Sequence, residues 1–169
     1  EVIIAAKNGK AIRFNEEVVR PIGRTGAGVK GITIDDDDEV VGMICVEKDV
    51  KEDILVVSEN GYGKRTDLDD YRITNRGGKG VKTLQITEKT GKAAGVQLVE
   101  EEDDILLISD DGTIIRMAAA DINLYSRTAQ GVRVMRVDRD TKVIALARVP
   151  KENEEEDAAE EANQAGKEP

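Results

Sequence analysis

Three hairpin glycines set the frame of this chain. Asn8-Gly9, Asn60-Gly61 and Asp111-Gly112 place them 52 and then 51 residues apart, and the same offsets bring other positions into register. Arg13, Arg65 and Arg116 coincide. So do Arg24, Arg76 and Arg127, then Gly28, Gly80 and Gly131, and then the cations Lys30, Lys82 and Arg133. A period near 50 residues with several strand-length apolar runs per unit is the pattern of a propeller-like array, whose units bury their faces by stacking on neighbours. The recurring residues that are not apolar are glycines and cations. The repeat therefore carries a basic pattern along with a fold, and it points towards a polyanion.

Each unit reads as four short strands. The first is almost wholly apolar, at 2–6, 54–58 and 105–109, as suits a strand covered on both faces. Asn-Gly or Asp-Gly follows, the signal of a two-residue hairpin whose central residues take positive φ. The second strand spans 10–14, 62–66 and 113–117. A polar loop leads to the third, expected over 29–34, 81–86 and 132–137, where alternation in the last two leaves one basic face exposed. The fourth spans 40–46, 93–99 and 143–149. The expected architecture is an all-β array of three four-stranded blades, at about 2–46, 54–99 and 105–149 within a domain of residues 1–150. Segments 68–71 and 118–122 have room for a short turn, but not for an independent helix.

Composition agrees with packed sheets. Apolar residues make up 39% and aromatics 2%, so the core must be built from Val, Ile, Leu and Ala. Cys45 is the only cysteine; its place in the apolar run 40–46 predicts a buried, inert thiol, and the absence of an intrachain disulfide suits a reducing cytoplasm. No apolar stretch approaches the ~20 residues of a membrane span, so no membrane partner is expected. Val2 already lies inside a repeat strand, which predicts a chain that starts partway through a longer protein. The net charge of −10 divides unevenly: residues 151–169 hold eight acids and two lysines, leaving only −4 on the body. That tail has no large apolar residue and is expected to be disordered, and to oppose binding by competing for the same cations.

Within the repeat, the loops Arg24-Thr-Gly-Ala-Gly, Arg76-Gly-Gly-Lys-Gly and Arg127-Thr-Ala-Gln-Gly are the strongest candidates for phosphate contact. Small residues leave backbone N–H groups open, and adjacent cations can close on an anion. Arg13, Arg65 and Arg116, on the second strands, fit equally well as cross-strand partners of the plentiful acids. Lys64, Arg65, Arg76, Lys79 and Lys82 make the middle unit the most basic. The expected polyanion surface comprises Arg24, Lys30, Lys64, Arg65, Arg76, Lys79, Lys82, Arg116, Arg127 and Arg133. Other motifs fail on context. Gly26-Ala-Gly-Val-Lys-Gly31 leads into a strand, not the helix a dinucleotide fingerprint needs, and Asp35 to Asp38 lacks the ligand spacing of a calcium loop. With no histidine and one cysteine, His-based catalysis and typical zinc sites are excluded, so no catalytic residue and no metal site are assigned.

The units resemble a known family. Asn60-Gly-Tyr-Gly-Lys-Arg-Thr66, Asp70-Tyr-Arg72 and Asn75-Arg-Gly-Gly-Lys-Gly-Val81 are similar to a blade of the C-terminal domain of the DNA gyrase A subunit. Ile105 to Arg116 with Ser126-Arg-Thr-Ala-Gln-Gly-Val132 resembles its last blade, and the acidic tail is also similar. The resemblance implies a β-pinwheel, usually of six blades, of which this chain is the C-terminal half. It implies a basic rim that binds and bends double-stranded DNA, supporting ATP-dependent negative supercoiling by an A2B2 holoenzyme of A and B subunits in the bacterial cytoplasm. ATP and Mg would act in other parts of that holoenzyme, with no cofactor in this chain. The breakage tyrosine of the family lies upstream, so Tyr62, Tyr71 and Tyr125 receive no such role. The family's box reads Gln-Arg-Arg-Gly-Gly-(Lys or Arg)-Gly, whereas Thr74-Asn75 stand here where Gln-Arg would. That departure leaves open the A-type subunit of topoisomerase IV, and the acidic net charge alone would also suit a protein-binding propeller.

Overall fold

The computed structural model describes residues 1–48 and 51–149; the acidic tail of 151–169 lies outside the described residues. Among the described residues, eleven strands run in chain order: β1 (Val2–Ala6), β2 (Lys10–Phe14), β3 (Val40–Cys45), β4 (Asp53–Ser58), β5 (Tyr62–Asp67), β6 (Val81–Lys82), β7 (Ala93–Val99), β8 (Asp104–Ser109), β9 (Ile114–Ala118), β10 (Val132–Arg133) and β11 (Val143–Val149). Three-residue 3-10 turns at Glu16–Val18, Leu68–Asp70 and Ala119–Asp121 follow the second strand of each unit. The last two occupy the segments expected to hold a short turn.

The strands form three sheets, ordered β3-β1-β2-β6, β10-β5-β4-β7 and β11-β8-β9. The array is all-β and built of stacked blades, but each unit does not keep its own third strand. β6, from the second unit, pairs with β2 of the first, with Lys10 opposite Lys82 and Ala11 opposite Val81. β10, from the third unit, pairs with β5 of the second. The third sheet accordingly has three strands among the described residues, not four, and 29–34 forms no strand. The observed third strands are also short. After Lys82 the chain turns inward: the N–H groups of Thr83 and Leu84 both donate to the Gly9 carbonyl, at 2.8 and 3.3 Å, and Leu84 enters the core. Val134, Met135 and Gly61 repeat the arrangement at 2.8 and 3.1 Å.

The hairpins differ from expectation by one residue. Gly9, Gly61 and Gly112 donate to the carbonyls of Ala6, Ser58 and Ser109, each closing a four-residue turn with glycine in the last place. Glycine then takes the left-handed conformation, φ 78°, 78° and 85°, as the bulge residue after a turn centred on the two residues before it.

Stacking of the blades makes the core. On β4, Ile54 and Val56 pack towards the first blade while Leu55 and Val57 pack towards the third, and all four are fully buried. At roughly 1.5–3 kcal/mol for each fully buried aliphatic side chain, against about 0–1 for an exposed ion pair, stacking is the dominant cohesive force. The fourth strands line the inner side, β3 against β7 and β7 against β11. Cys45 is exposed, contrary to the expectation of a buried thiol. β3 is an edge strand, and the alternation that buries Ile44 turns Cys45 outward.

Candidate nucleic-acid interface

In the first two units the second-strand arginines turn towards the next unit, and this corrects part of the expected surface. Arg65 is buried; its Nη1 meets Asp53 Oδ2 at 3.1 Å and its Nε donates to the Ile122 carbonyl at 2.6 Å. Arg13 does the same one unit earlier, with Glu1 at 2.5 Å and the carbonyls of Leu68 and Tyr71 at 2.8 and 3.0 Å. Each arginine thus ties its own first strand to the 3-10 turn of the next unit. Arg116 holds the equivalent acid, Asp104, at 2.7 Å, with its side chain 61% exposed. The cross-strand reading of this position is the one the geometry takes.

Lys64 is fully buried, its Nζ donating to the carbonyls of Ser126 and Arg127 at 2.7 and 2.6 Å. Burial, reinforced by the neighbouring Arg127 charge, pushes its pKa down to about 8. Lys64 and Arg65 therefore leave the expected polyanion surface. The loop of the third unit covers one of them and its 3-10 turn the other.

The loop cations behave differently. Arg76 Nε donates to the Val18 carbonyl at 3.0 Å and Nη1 to the Lys30 carbonyl at 3.2 Å. Arg127 repeats both bonds one unit on, to the carbonyls of Asp70 and Lys82. Each arginine so pins the backbone of a basic residue in the preceding unit while the Lys30 or Lys82 side chain stays outside. A guanidinium carries five N–H donors, so two such bonds leave others for an anion. Arg24, Lys30, Lys79, Lys82 and Arg133 are exposed. Arg133 donates from Nη2 to the Tyr62 hydroxyl at 3.0 Å and lies 5.5 Å from the ring centre, with Lys89 at 5.3 Å. The buried tyrosine orients two cations at the outer strand β10.

Charge is segregated across this surface. Among the described residues, no carboxylate lies within the 4.0 Å ion-pair distance of Arg24, Lys30, Arg76, Lys79, Lys82, Arg127 or Arg133. Acids are taken up elsewhere: Glu52, Glu100 and Asp103 surround Arg148, and Glu59 meets Lys7 and Lys142. The outer strands and the loops beside them keep their cations free. Arg72 and Lys79 also line a cleft of about 310 Å³ with Arg13, Thr74, Asn75 and Gly78. Arg72 was not among the expected residues, although Arg20 at the matching position of the first unit signals it; Lys89 and Arg136, which line the surface around Tyr62, carry no repeat signal.

Residues 1–47, 52–100 and 103–150 match the model of a family described as DNA gyrase C-terminal domain, beta-propeller. The A subunit of DNA gyrase from Staphylococcus aureus (strain MRSA252) is 44% identical over 96% of this chain, which spans 18% of that relative's length. A solved gyrase A C-terminal domain superposes with a TM-score of 0.80 at 30% identity, over 87% of this chain and 50% of that one. The C-terminal domain of a DNA topoisomerase IV superposes at 0.86 over 97% of this chain and 51% of that one, at 24% identity, a likeness of fold alone. Three repeat units, each matched in turn by the same family model, place this chain in the DNA gyrase C-terminal domain family.

Proposed function

We propose that this chain binds double-stranded DNA along its outer strands and bends it, as part of the A subunit of DNA gyrase. One observation carries the reading: among the described residues, the seven cations Arg24, Lys30, Arg76, Lys79, Lys82, Arg127 and Arg133 of the loops and outer strands have no carboxylate within ion-pair distance, whereas Arg13, Arg65, Arg116 and Arg148 each hold one. A row of cations free of counter-charges suits a polyanionic partner. Phosphate contact through Lys30, Arg76, Lys79, Lys82, Arg127 and Arg133 fixes the path of the duplex without reading base edges. Arg24 continues that surface, whereas Arg116 is taken up by Asp104. In the holoenzyme, such wrapping would present a second duplex segment for passage, with ATP hydrolysis and strand breakage performed by other domains of the A2B2 assembly in the bacterial cytoplasm. Identity of 44% to a gyrase A subunit favours gyrase over topoisomerase IV.

Ligation of nicked plasmid in the presence of this chain tests the reading. Wrapping of one hand leaves a shift in linking number after the protein is removed, growing with the protein-to-DNA ratio. Tight binding with no shift would leave a DNA-binding module that does not wrap.

A further inference from the structure

The two arginine loops, 75–80 and 126–131, are held down in different ways, although Arg76 and Arg127 make the same bonds. Loop 75–80 rests on the first unit. The Gly77 N–H donates to the Gly31 carbonyl at 2.6 Å, the Thr33 N–H to the Gly78 carbonyl at 2.8 Å, and the Thr33 hydroxyl to the Gly77 carbonyl at 2.7 Å. Of these three bonds, one has a counterpart in loop 126–131 among the described residues: the Gln85 N–H donates to the Ala129 carbonyl at 3.2 Å. Gln85 stands where Thr33 stands one unit earlier and brings no hydroxyl; its side-chain oxygen accepts from Lys82 at 3.0 Å. Lys64 makes good the loss. Its Nζ donates to the Ser126 and Arg127 carbonyls at 2.7 and 2.6 Å. Ile12 has that place in the first junction, its Cδ1 3.5 Å from where a Cβ on Gly78 would lie. An apolar side chain suffices under a loop that other bonds already fix.

We propose that Lys64 is a positioning residue, whose buried Nζ holds loop 126–131 in the form that presents Arg127 to a DNA phosphate. This role rests on the reading of the outer strands as a DNA surface. Lys64 is fully buried and touches no phosphate itself. It acts through the loop, and through Arg127 on the Lys82 backbone that this arginine pins. The charged groups that act on Lys64 are Arg127, from the loop, and Asp70, from the 3-10 turn of its own unit. Burial, and then Arg127, lower its pKa to about 8, whereas water on an opened loop would return it towards 10.5. Opening therefore takes up a proton, and it becomes harder as pH rises through that window. Tyr71, near the same two charges and pushed up to about 12 by burial, stays neutral there.

Trypsin supplies a test without DNA, because Arg76 and Arg127 are matched sites on the two loops. The ratio of cleavage after Arg127 to cleavage after Arg76, read by mass spectrometry, cancels global unfolding and the protease's own pH dependence. In the native chain the ratio should fall by about tenfold from about pH 7.5 to about pH 9.5. In Lys64→Met, which leaves both carbonyls without their donor, it should not follow pH, and at the upper end it should exceed the native ratio by about fivefold or more. Duplex binding at about pH 9, where Lys64 is mostly neutral and its removal changes little charge, then tests what the clasp serves. Lys64→Met should weaken binding in the native chain and weaken it no further in Arg127→Ala, whereas its loss should add to that of Arg76→Ala. A native ratio flat with pH, a Lys64→Met ratio equal to the native one, or losses that add with Arg127→Ala each overturn the proposal. A native chain that binds no duplex overturns the DNA reading, and with it the phosphate part of the role, while the cleavage ratios still decide the clasp.

Discussion

Lys64 shows how far one position of a repeat can depart from its counterparts. Ile12 and Ile115 stand at the same place in the other units, yet Lys64 is buried with two backbone carbonyls as its partners. Its folded pKa, about 8, lies below the ordinary 10.5, so between those values the unfolded chain binds more protons. Stability from this group is therefore lost as pH falls towards 8 and recovered as pH rises towards 10.5. Tyr71, pushed up to about 12 by burial, acts against stability only above pH 10. Urea unfolding should show the native chain gaining about 2 kcal/mol between pH 8 and 10 relative to Lys64→Ile; parallel profiles would contradict the account. One warning was legible in the sequence: adjacent strand residues point to opposite faces, so Lys64 and Arg65 could not share one DNA-facing surface. What was not legible is that another unit covers both faces. Cys45 fails for the converse reason, since an apolar run does not say which strand lies at an edge.

At the scale of elements, local pattern identified the first, second and fourth strands, because hydrophobic runs and hairpin glycines are short-range signals. It could not assign the third, whose pairing partner is the preceding unit. β6 and β10 are short because their glycine-anchored turns carry Leu84 and Met135 into the core, and only the stacked array supplies that core. The anchor glycines then differ in a measurable way. An alanine at Gly61 would put its Cβ against the Met135 carbonyl and adopt a left-handed φ, whereas one at Gly112 has no neighbour within 4 Å among the described residues and meets only the conformational cost of about 1–2 kcal/mol. Gly61→Ala should therefore destabilise the chain by at least about 1 kcal/mol more than Gly112→Ala in urea unfolding. Equal costs would mean that the neighbouring unit does not close on the hairpin as described.

For the whole molecule, the net charge of −10 says little about its partner; the placement of charge says more. Acids gather in inter-strand loops, around Arg148 and in the segment 151–169, while the outer strands keep their cations unpaired. The basic register of Arg24, Arg76 and Arg127 and of Lys30, Lys82 and Arg133 was visible from the repeat because both sets recur with glycine spacing. The second task of Arg76 and Arg127, pinning the preceding unit, was hidden because carbonyl acceptors leave no trace in sequence. The most direct measurement is the salt dependence of duplex binding by two doubly substituted chains with the same net charge. Lys82→Ala with Arg133→Ala removes unpaired outer cations; Lys7→Ala with Lys142→Ala removes cations already held by Glu39 and Glu59. The first pair should flatten the slope of log K against log salt by about 2, and the second should leave it within experimental scatter of the native value. Equal changes from the two pairs would mean that binding follows total charge, and that the outer strands are not the DNA surface.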